Sequence, residues 1–460
     1  MTAAPAAVRL HAAAVETPSR APRYSAAEIQ KLKERDNITN IGHLGLVYAV
    51  MAVTIIGAVW CYHAVFTGAI SWLWTIPVTI LAIVSMGASQ HQLGGAIHEG
   101  THYMLFADKR VSELASDWLA AFPIYTSTYA FRLHHLAHHQ FVNDPERDPN
   151  FDQAKESGHW LDFPVAHIDF LRAVVRLLWL PNTIRYIVAR AKYSAIGVDT
   201  NPYADTKRNG SPWAIRNGVL FAVLSPAIII PLVAAGHHLI ALATLGVMWV
   251  AITAYYLAIP DDHFAQSKID PVISHRATAI GRMTWLGIVY SLLTYAEYAT
   301  GAPAWGYYGL LWILPLFTTF PLFMILREWL QHGNADRGRL TNSRVILEHN
   351  PLTRYAVYPW GMDYHLPHHL FASVPHYKLK QLHDVLLRDP EYREKGVIVD
   401  GWSKPNASGL PTILDVLGPE YAGTSTEKHV DDATLEMASV NDKAGVQRHI
   451  DQSRKTETLH

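Results

Sequence analysis

The chain has 460 residues, half of them apolar and only 17% charged, against roughly 25% charged in soluble domains. A net charge of −1 offers no electrostatic basis for nucleic-acid binding. The single cysteine, Cys61, excludes an intrachain disulfide, a thiolate zinc finger and a Cys-ligated iron–sulfur cluster.

Residues 1–36, rich in Ala, Pro and Arg, read as a disordered tail without the apolar core of a secretory signal. Long apolar stretches follow at about 44–66, 71–90, 217–235 and 238–259. Each is long enough to cross a hydrocarbon core as a helix. A last pair lies near 283–299 and 305–326, the first of them shorter and more polar. It makes a third crossing hairpin or a re-entrant one. The loops 67–70, 236–238 and 300–304 carry no Lys or Arg, whereas 1–43, 91–216, 260–282 and 327–421 carry nearly all of them. The positive-inside bias places the latter, and both termini, in the cytoplasm. Segment 163–180 has Phe170, Val174 and Leu178 at helical spacing, with Arg172 and Arg176 on another face. It predicts a helix lying on the membrane surface or packed on the cytosolic domain. Residues 422–460 are polar and read as a second disordered tail. The expected architecture is all-α integral membrane. Four to six crossings in transmembrane helical hairpins are capped by a cytosolic helical domain, all within residues 37–421.

The unusual count is 26 histidines. Three clusters stand out: His98-Glu-Gly-Thr-His102, His134-His135-Leu-Ala-His138-His139 and His365-Leu-Pro-His368-His369. Residues three and four apart share a helix face, so His98 and His102 point one way, as do His135, His138 and His139. Pro367 is tolerated only in a first helical turn, so a helix is expected to begin near it. Imidazole suits Fe, Zn, Cu and Ni. Eight histidines exceed one ion and fit two. Each box lies just past a predicted crossing on the same membrane face, where polar groups are costly unless functional. His332 follows the last crossing as His98 follows the second. Glu328, four residues earlier, is an additional ligand or a carboxylate supporting one. The remaining histidines read as ordinary; His263 in Asp-Asp-His-Phe is the strongest exception.

The three boxes, their order and the hairpins between them resemble the membrane fatty-acid desaturase/hydroxylase superfamily. Residues 134–150 (HHLAHHQFVNDPERDPN) look like its second box with the trailing Asn and Asp-Pro. Residues 364–383 (YHLPHHLFASVPHYKLKQLH) look like its third box with the following Val-Pro. The resemblance implies a di-iron site with His98, His102, His135, His138, His139, His332, His365, His368 and His369 as ligands. His134 stands as an alternative to His135. Asp148 and Asp363 would orient imidazoles. The implied function is O2-dependent desaturation of a fatty acyl or lipid chain drawn from the bilayer. Hydroxylation of a lipid, alkane or acyl-like metabolite on the same Fe2+ pair is the alternative. No dinucleotide fingerprint, haem segment or cysteine cluster is evident. A separate ferredoxin, rubredoxin or cytochrome-type donor with its reductase is therefore implied, and no bound haem, flavin or nicotinamide. His98-Glu99-x-x-His102 is also a literal zinc-metalloprotease motif, but that reading leaves six histidines unexplained.

Overall fold

The computed structural model describes residues 24–191, 201, 203, 210–264, 267–404, 407–419 and 421. Helices dominate these residues. A short α1 (Ala26–Leu32) precedes a long antiparallel pair, α2 (Thr39–Phe66) and α3 (Thr75–Thr101). The turn between them uses Gly68 at φ +73°, a conformation that only glycine adopts without steric cost. Next come α4 (Lys109–Ser116), α5 (Thr128–Gln140), α6 (Pro149–Ser157), α7 (His167–Leu177) and α8 (Leu180–Ala191). A second hairpin is formed by α9 (Pro212–Ala234) and α10 (His238–Ala258), against which α11 (His275–Thr300) packs. The last long helical run, Ala304–His332, comprises α12 (Ala304–Tyr308), a π turn at Gly309–Ile313, α13 (Leu314–Leu316) and α14 (Thr319–His332).

Five helices are long and apolar enough to cross a membrane among the described residues: Thr39–Phe66, Trp72–Thr101, Pro212–Ala234, His238–Ala258 and Ala304–His332. Their outer surfaces expose Val53, Ile56, Leu81, Val223 and Val247. An apolar surface on this scale is stable in lipid rather than water. The protein is a multi-pass membrane protein. The polar segment expected at 283–299 is part of α11, a continuous helix of 26 residues, about 39 Å long at 1.5 Å per residue. Its charges sit toward the ends. Arg276 pairs with Asp261 at 2.6 Å and donates to the carbonyls of Leu257 and Ile259.

The remaining elements form a cap: α15 (Pro351–Val357), α16 (His365–Leu370), α17 (Leu379–Leu386), α18 (Pro390–Lys395) and α19 (Ile413–Leu417). Two short strands, β1 (Arg344–Leu347) and β2 (Val397–Asp400), pair in parallel with Arg344 opposite Val397. Strands were not expected, and four residues each is too short for period-two alternation to show. Their role is positional: the Ile346 amide donates to the Asp363 carbonyl at 2.7 Å, two residues before the third box.

The tail boundary expected at residue 36 moves. Residues 24–36 include α1, whose Ser25 and Glu28 form a capping box and whose Ile29 is buried in the cluster with Leu382 and Leu386 of α17. Two satisfied orphan groups and a buried anchor explain why this stretch folds. Residues 1–23 and 422–460, expected as disordered tails, lie outside the described residues.

Helix α7 packs on the cap, one of the two placements expected for it. Phe170 and Leu177 are buried on the cap, Phe170 against Trp329 at 6.1 Å between rings. Ile168, Leu171, Val175 and Leu178 form a second, exposed apolar stripe, continued on α8 by Ile184 and Val188. Such a stripe suits the acyl boundary of a bilayer. In a Cys61→Ser background, a fluorophore at Leu171→Cys should be quenched by lipid-borne nitroxides severalfold more than one at Arg172→Cys. Equal quenching at the two sites would remove this helix from the bilayer.

Candidate metal centre

Helix α3 does not stop at the apolar run ending near residue 90. It continues to Thr101, and residues 86–93 onward are buried. This extension carries His98 inward, with His102 capping the helix end. Close packing allows it. A Cβ on Gly95 would lie 2.5 Å from Trp360 Cδ1 and 2.9 Å from Pro359 Cβ. Helix α5, started by Ser127 accepting from the Ala130 amide, carries His135, His138 and His139. His332 is the last residue of α14. Helix α16 begins at His365, two residues before the proline. Pro367 is tolerated there because first-turn amides have no intrahelical partner.

The nine histidines converge in two groups. His98, His102, His135, His139 and His368 form one; His138, His332, His365 and His369 form the other. Within each group the nearest ligand atoms all lie within 4.8 Å of one another, and every residue is buried. The groups adjoin: the His139 and His369 rings stack across them at 4.3 Å. Nε2 atoms face Nε2 atoms at 3.0 Å for His102–His135, His135–His139 and His365–His369, at 3.1 Å for His139–His368 and at 2.8 Å for His332–His365.

These contacts fit a cation between the nitrogens. Burial, reinforced by neighbouring histidines, holds His135, His139, His365, His368 and His369 well below the ordinary imidazole range. Burial likewise takes His102 down to about 3. Neutral rings present lone pairs, and one ring supplies one proton, so a network of facing Nε2 atoms cannot be satisfied by hydrogen bonds alone. Imidazole nitrogens sit about 2.0–2.1 Å from a first-row metal, so adjacent ligands at right angles are about 3 Å apart. Both nitrogens of His98 are buried without a partner. By its donor set and spacing the site fits a metal centre.

Supporting groups surround it. Asp148 accepts from His138 Nδ1 at 3.0 Å and from the Asn143 and Asn150 amides at 2.9 Å. It both orients an imidazole and caps α6. Burial opposes charge on His138, but this carboxylate outweighs it and raises the ring's pKa. Asp148→Ala should weaken metal affinity about 10–100-fold, measured by chelator competition; an unchanged affinity would leave Asp148 only its capping role. His332 Nδ1 contacts the Asn342 carbonyl at 2.9 Å. Glu328 accepts from Asn150 at 2.8 Å and reaches the centre through that amide.

The structure also places the remaining candidates. His134 does not join either group; its Nε2 meets Asn150 Oδ1 at 2.7 Å, because one helical position turns it away from the face shared by His135 and His139. Asp363 binds no imidazole. Its carboxylate is held by Arg354 at 2.9 Å, while Nδ1 of His365, His368 and His369 has no partner. His263 is exposed in a short turn and is absent from both groups. Glu99, the would-be general base of the protease reading, accepts from the His376 backbone amide at 3.0 Å. Its carboxylate serves as a structural acceptor.

Sequence reasoning passed over Arg132, Glu113 and Asn150. Arg132 is fully buried. Nε donates to the Thr101 carbonyl at 2.8 Å, Nη2 to the Gly100 carbonyl at 2.9 Å and Nη1 to Glu113 at 3.1 Å, with a further short contact from Nη2 to Glu113. It fastens the end of α3 to α5, and so the first box to the second. Asn150 lies in the Asp-Pro-Asn string after the second box, which was the available signal.

A helical bundle with five membrane-length helices, capped by buried histidine clusters, defines the class: a multi-pass membrane protein with a candidate metal centre. The chain belongs to the fatty acid desaturase family, whose profile matches residues 77–290 and 263–400. It is also similar to the dihydrorhizobitoxine desaturase of Bradyrhizobium elkanii, at 22% identity over 405 residues, which covers 86% of this chain and 91% of that protein. The protein is therefore an enzyme, a desaturase/hydroxylase-type oxidoreductase.

Proposed function

We propose that this enzyme uses two iron ions, held by the nine histidines, to introduce a double bond into an aliphatic chain of the fatty acyl type. The observation that carries the reading is the division of nine buried histidines into groups of five and four beside a cavity of about 630 Å3. Iron in such a site supplies O2 reduction and removal of hydrogen from an unactivated C–H bond. In balance, the substrate loses two hydrogens as a C–C single bond becomes double. One O2, two electrons and two protons enter, and two waters leave.

The chain's own residues hold, orient and shield. Neutral imidazoles leave the positive charge of the metals uncompensated. Asp148 and the Asn342 carbonyl set the directions of His138 and His332. Burial of all nine ligands limits water at the reacting carbon. Electrons come from a separate ferredoxin, rubredoxin or cytochrome-type donor, docking on the face that carries the histidines. We place that face in the cytoplasm from the Lys and Arg bias of its loops.

Expression in a host lacking the activity, followed by mass spectrometry of lipids and small acids, tests the reading. A product lighter by two hydrogens is expected. A product heavier by one oxygen would assign hydroxylation instead, and no iron-dependent product would overturn both.

A further inference from the structure

The cavity that opens on the histidines is not the wholly apolar slot that a hydrocarbon tail needs. Its wall includes His98 and His135 of one group and His138, His332 and His365 of the other. The same wall includes four arginines, Arg190, Arg327, Arg337 and Arg344, and two carboxylates, Glu328 and Asp336. Exposed Pro145 also lines it, so the cavity reaches the surface.

Arg190, Arg327 and Arg344 make no ion pair among the described residues, although Glu328, the chain neighbour of Arg327, acts on it through space. Nε of Arg327 and both Nε and Nη1 of Arg344 are buried without an acceptor. Arg344, only 2% exposed, spends one N–H on the Gly333 carbonyl. Arg190 rests over the Phe131 ring at 5.3 Å. None of the three has a carboxylate within ion-pair distance among the described residues. The other charges on the wall are engaged. Glu328 accepts from Asn150, Asp336 accepts from Thr341 and the Gly338 amide, and Arg337 pairs with Asp144 at 2.9 Å.

Leaving guanidinium N–H groups buried and unpaired is costly. Placing several around one cavity leaves unpaired N–H donors on its wall, whereas the Glu328 and Asp336 carboxylates there already accept hydrogen bonds. Guanidinium is matched best by a planar carboxylate. The wall is mixed elsewhere: Phe131, Phe151, Leu161, Phe163, Met324 and Ile325 supply apolar surface beside polar groups such as Asn143 and Gln153.

We propose that this cavity is the substrate pocket and that it selects a free carboxylate on a chain of modest length, with Arg327 as the principal anion ligand and Arg344 and Arg190 beside it. The proposal rests on the desaturase reading and specifies its substrate class. A thioester or a glycerolipid ester presents no charge at the acyl carbonyl, so it would pair these arginines only through a phosphate elsewhere in the molecule.

The test uses the full-length, iron-loaded enzyme in nanodiscs, titrated calorimetrically with hexanoate, octanoate and decanoate and with their methyl esters. At least one acid should bind about tenfold or more tightly than its ester. Arg327→Gln should remove that preference at unchanged iron content, Arg327→Lys should keep part of it, and Arg344→Gln should reduce it. If Arg327→Gln fails to load iron, Arg344→Gln and Arg190→Gln carry the comparison. Equal affinity for acids and esters, no binding by any probe, or a preference intact in the glutamine variants would overturn the proposal. Product analysis separates the two readings. Arginine-dependent acid binding with no new double bond would leave the pocket and remove the desaturase. A double bond formed only in esterified or thioester lipid, with no acid preference, would do the reverse.

Discussion

On the proposed di-iron reading, His102→Ala and His365→Ala should each lower bound iron from about two to about one per chain, and each should abolish product. The two variants empty different sites, since His102 belongs to the group of five and His365 to the group of four. The iron that remains should therefore differ in Mössbauer parameters between them. His134→Ala is the control. Its Nε2 is directed to Asn150, so the variant should keep about two irons. Iron quantification on purified protein decides the matter: two irons and full activity in either ligand variant would refute the assignment, and loss of one iron in His134→Ala would reinstate His134 as a ligand.

Arg132→Met should destabilise the enzyme by about 3–5 kcal/mol, the usual cost of breaking a buried ion pair and stranding its partner. Glu113 would be left 2% exposed and unpaired, and the Gly100 and Thr101 carbonyls would lose their donor. Iron content should fall with stability, because those carbonyls belong to the segment that carries His98 and His102. Arg132→Lys should fail almost as badly, since one ammonium cannot replace a planar fork that reaches two carbonyls and a carboxylate. The Arg132→Met/Glu113→Leu pair should be milder than Arg132→Met alone, because no charge is then stranded. Thermal unfolding in detergent, read with iron content, checks the series. A single variant as stable and as iron-rich as the wild type would sink the claim that this arginine joins the two boxes.

The spanning helices were legible because a bilayer imposes length and apolarity directly on the sequence. The helical spacing of His98 with His102, and of His135 with His138 and His139, was legible for the same local reason. One readable signal was missed. Ser25 and Glu28 are a capping box ahead of Ile29 and Leu32, enough to mark α1 inside what the composition suggested was tail. Asp363 shows the opposite failure. A carboxylate next to the third box looked like a partner for an imidazole, but Arg354, nine residues away, claims it. That competition depends on how α15 packs, which no local pattern encodes.

Local chemistry thus settled the helical membrane class and which imidazoles could act together. These properties depend on periodicity and on donor type, and both are carried by neighbouring residues. The partition into five and four required contacts between distant segments, such as His139 with His368 at 3.1 Å. So did the staple from Arg132 to the end of α3, and so did the meeting of Arg190, Arg327 and Arg344 on one cavity wall. Such groups become neighbours only when the bundle closes. Burial then sets whether an imidazole stays neutral, whether a guanidinium is left without a partner, and so what the centre can hold.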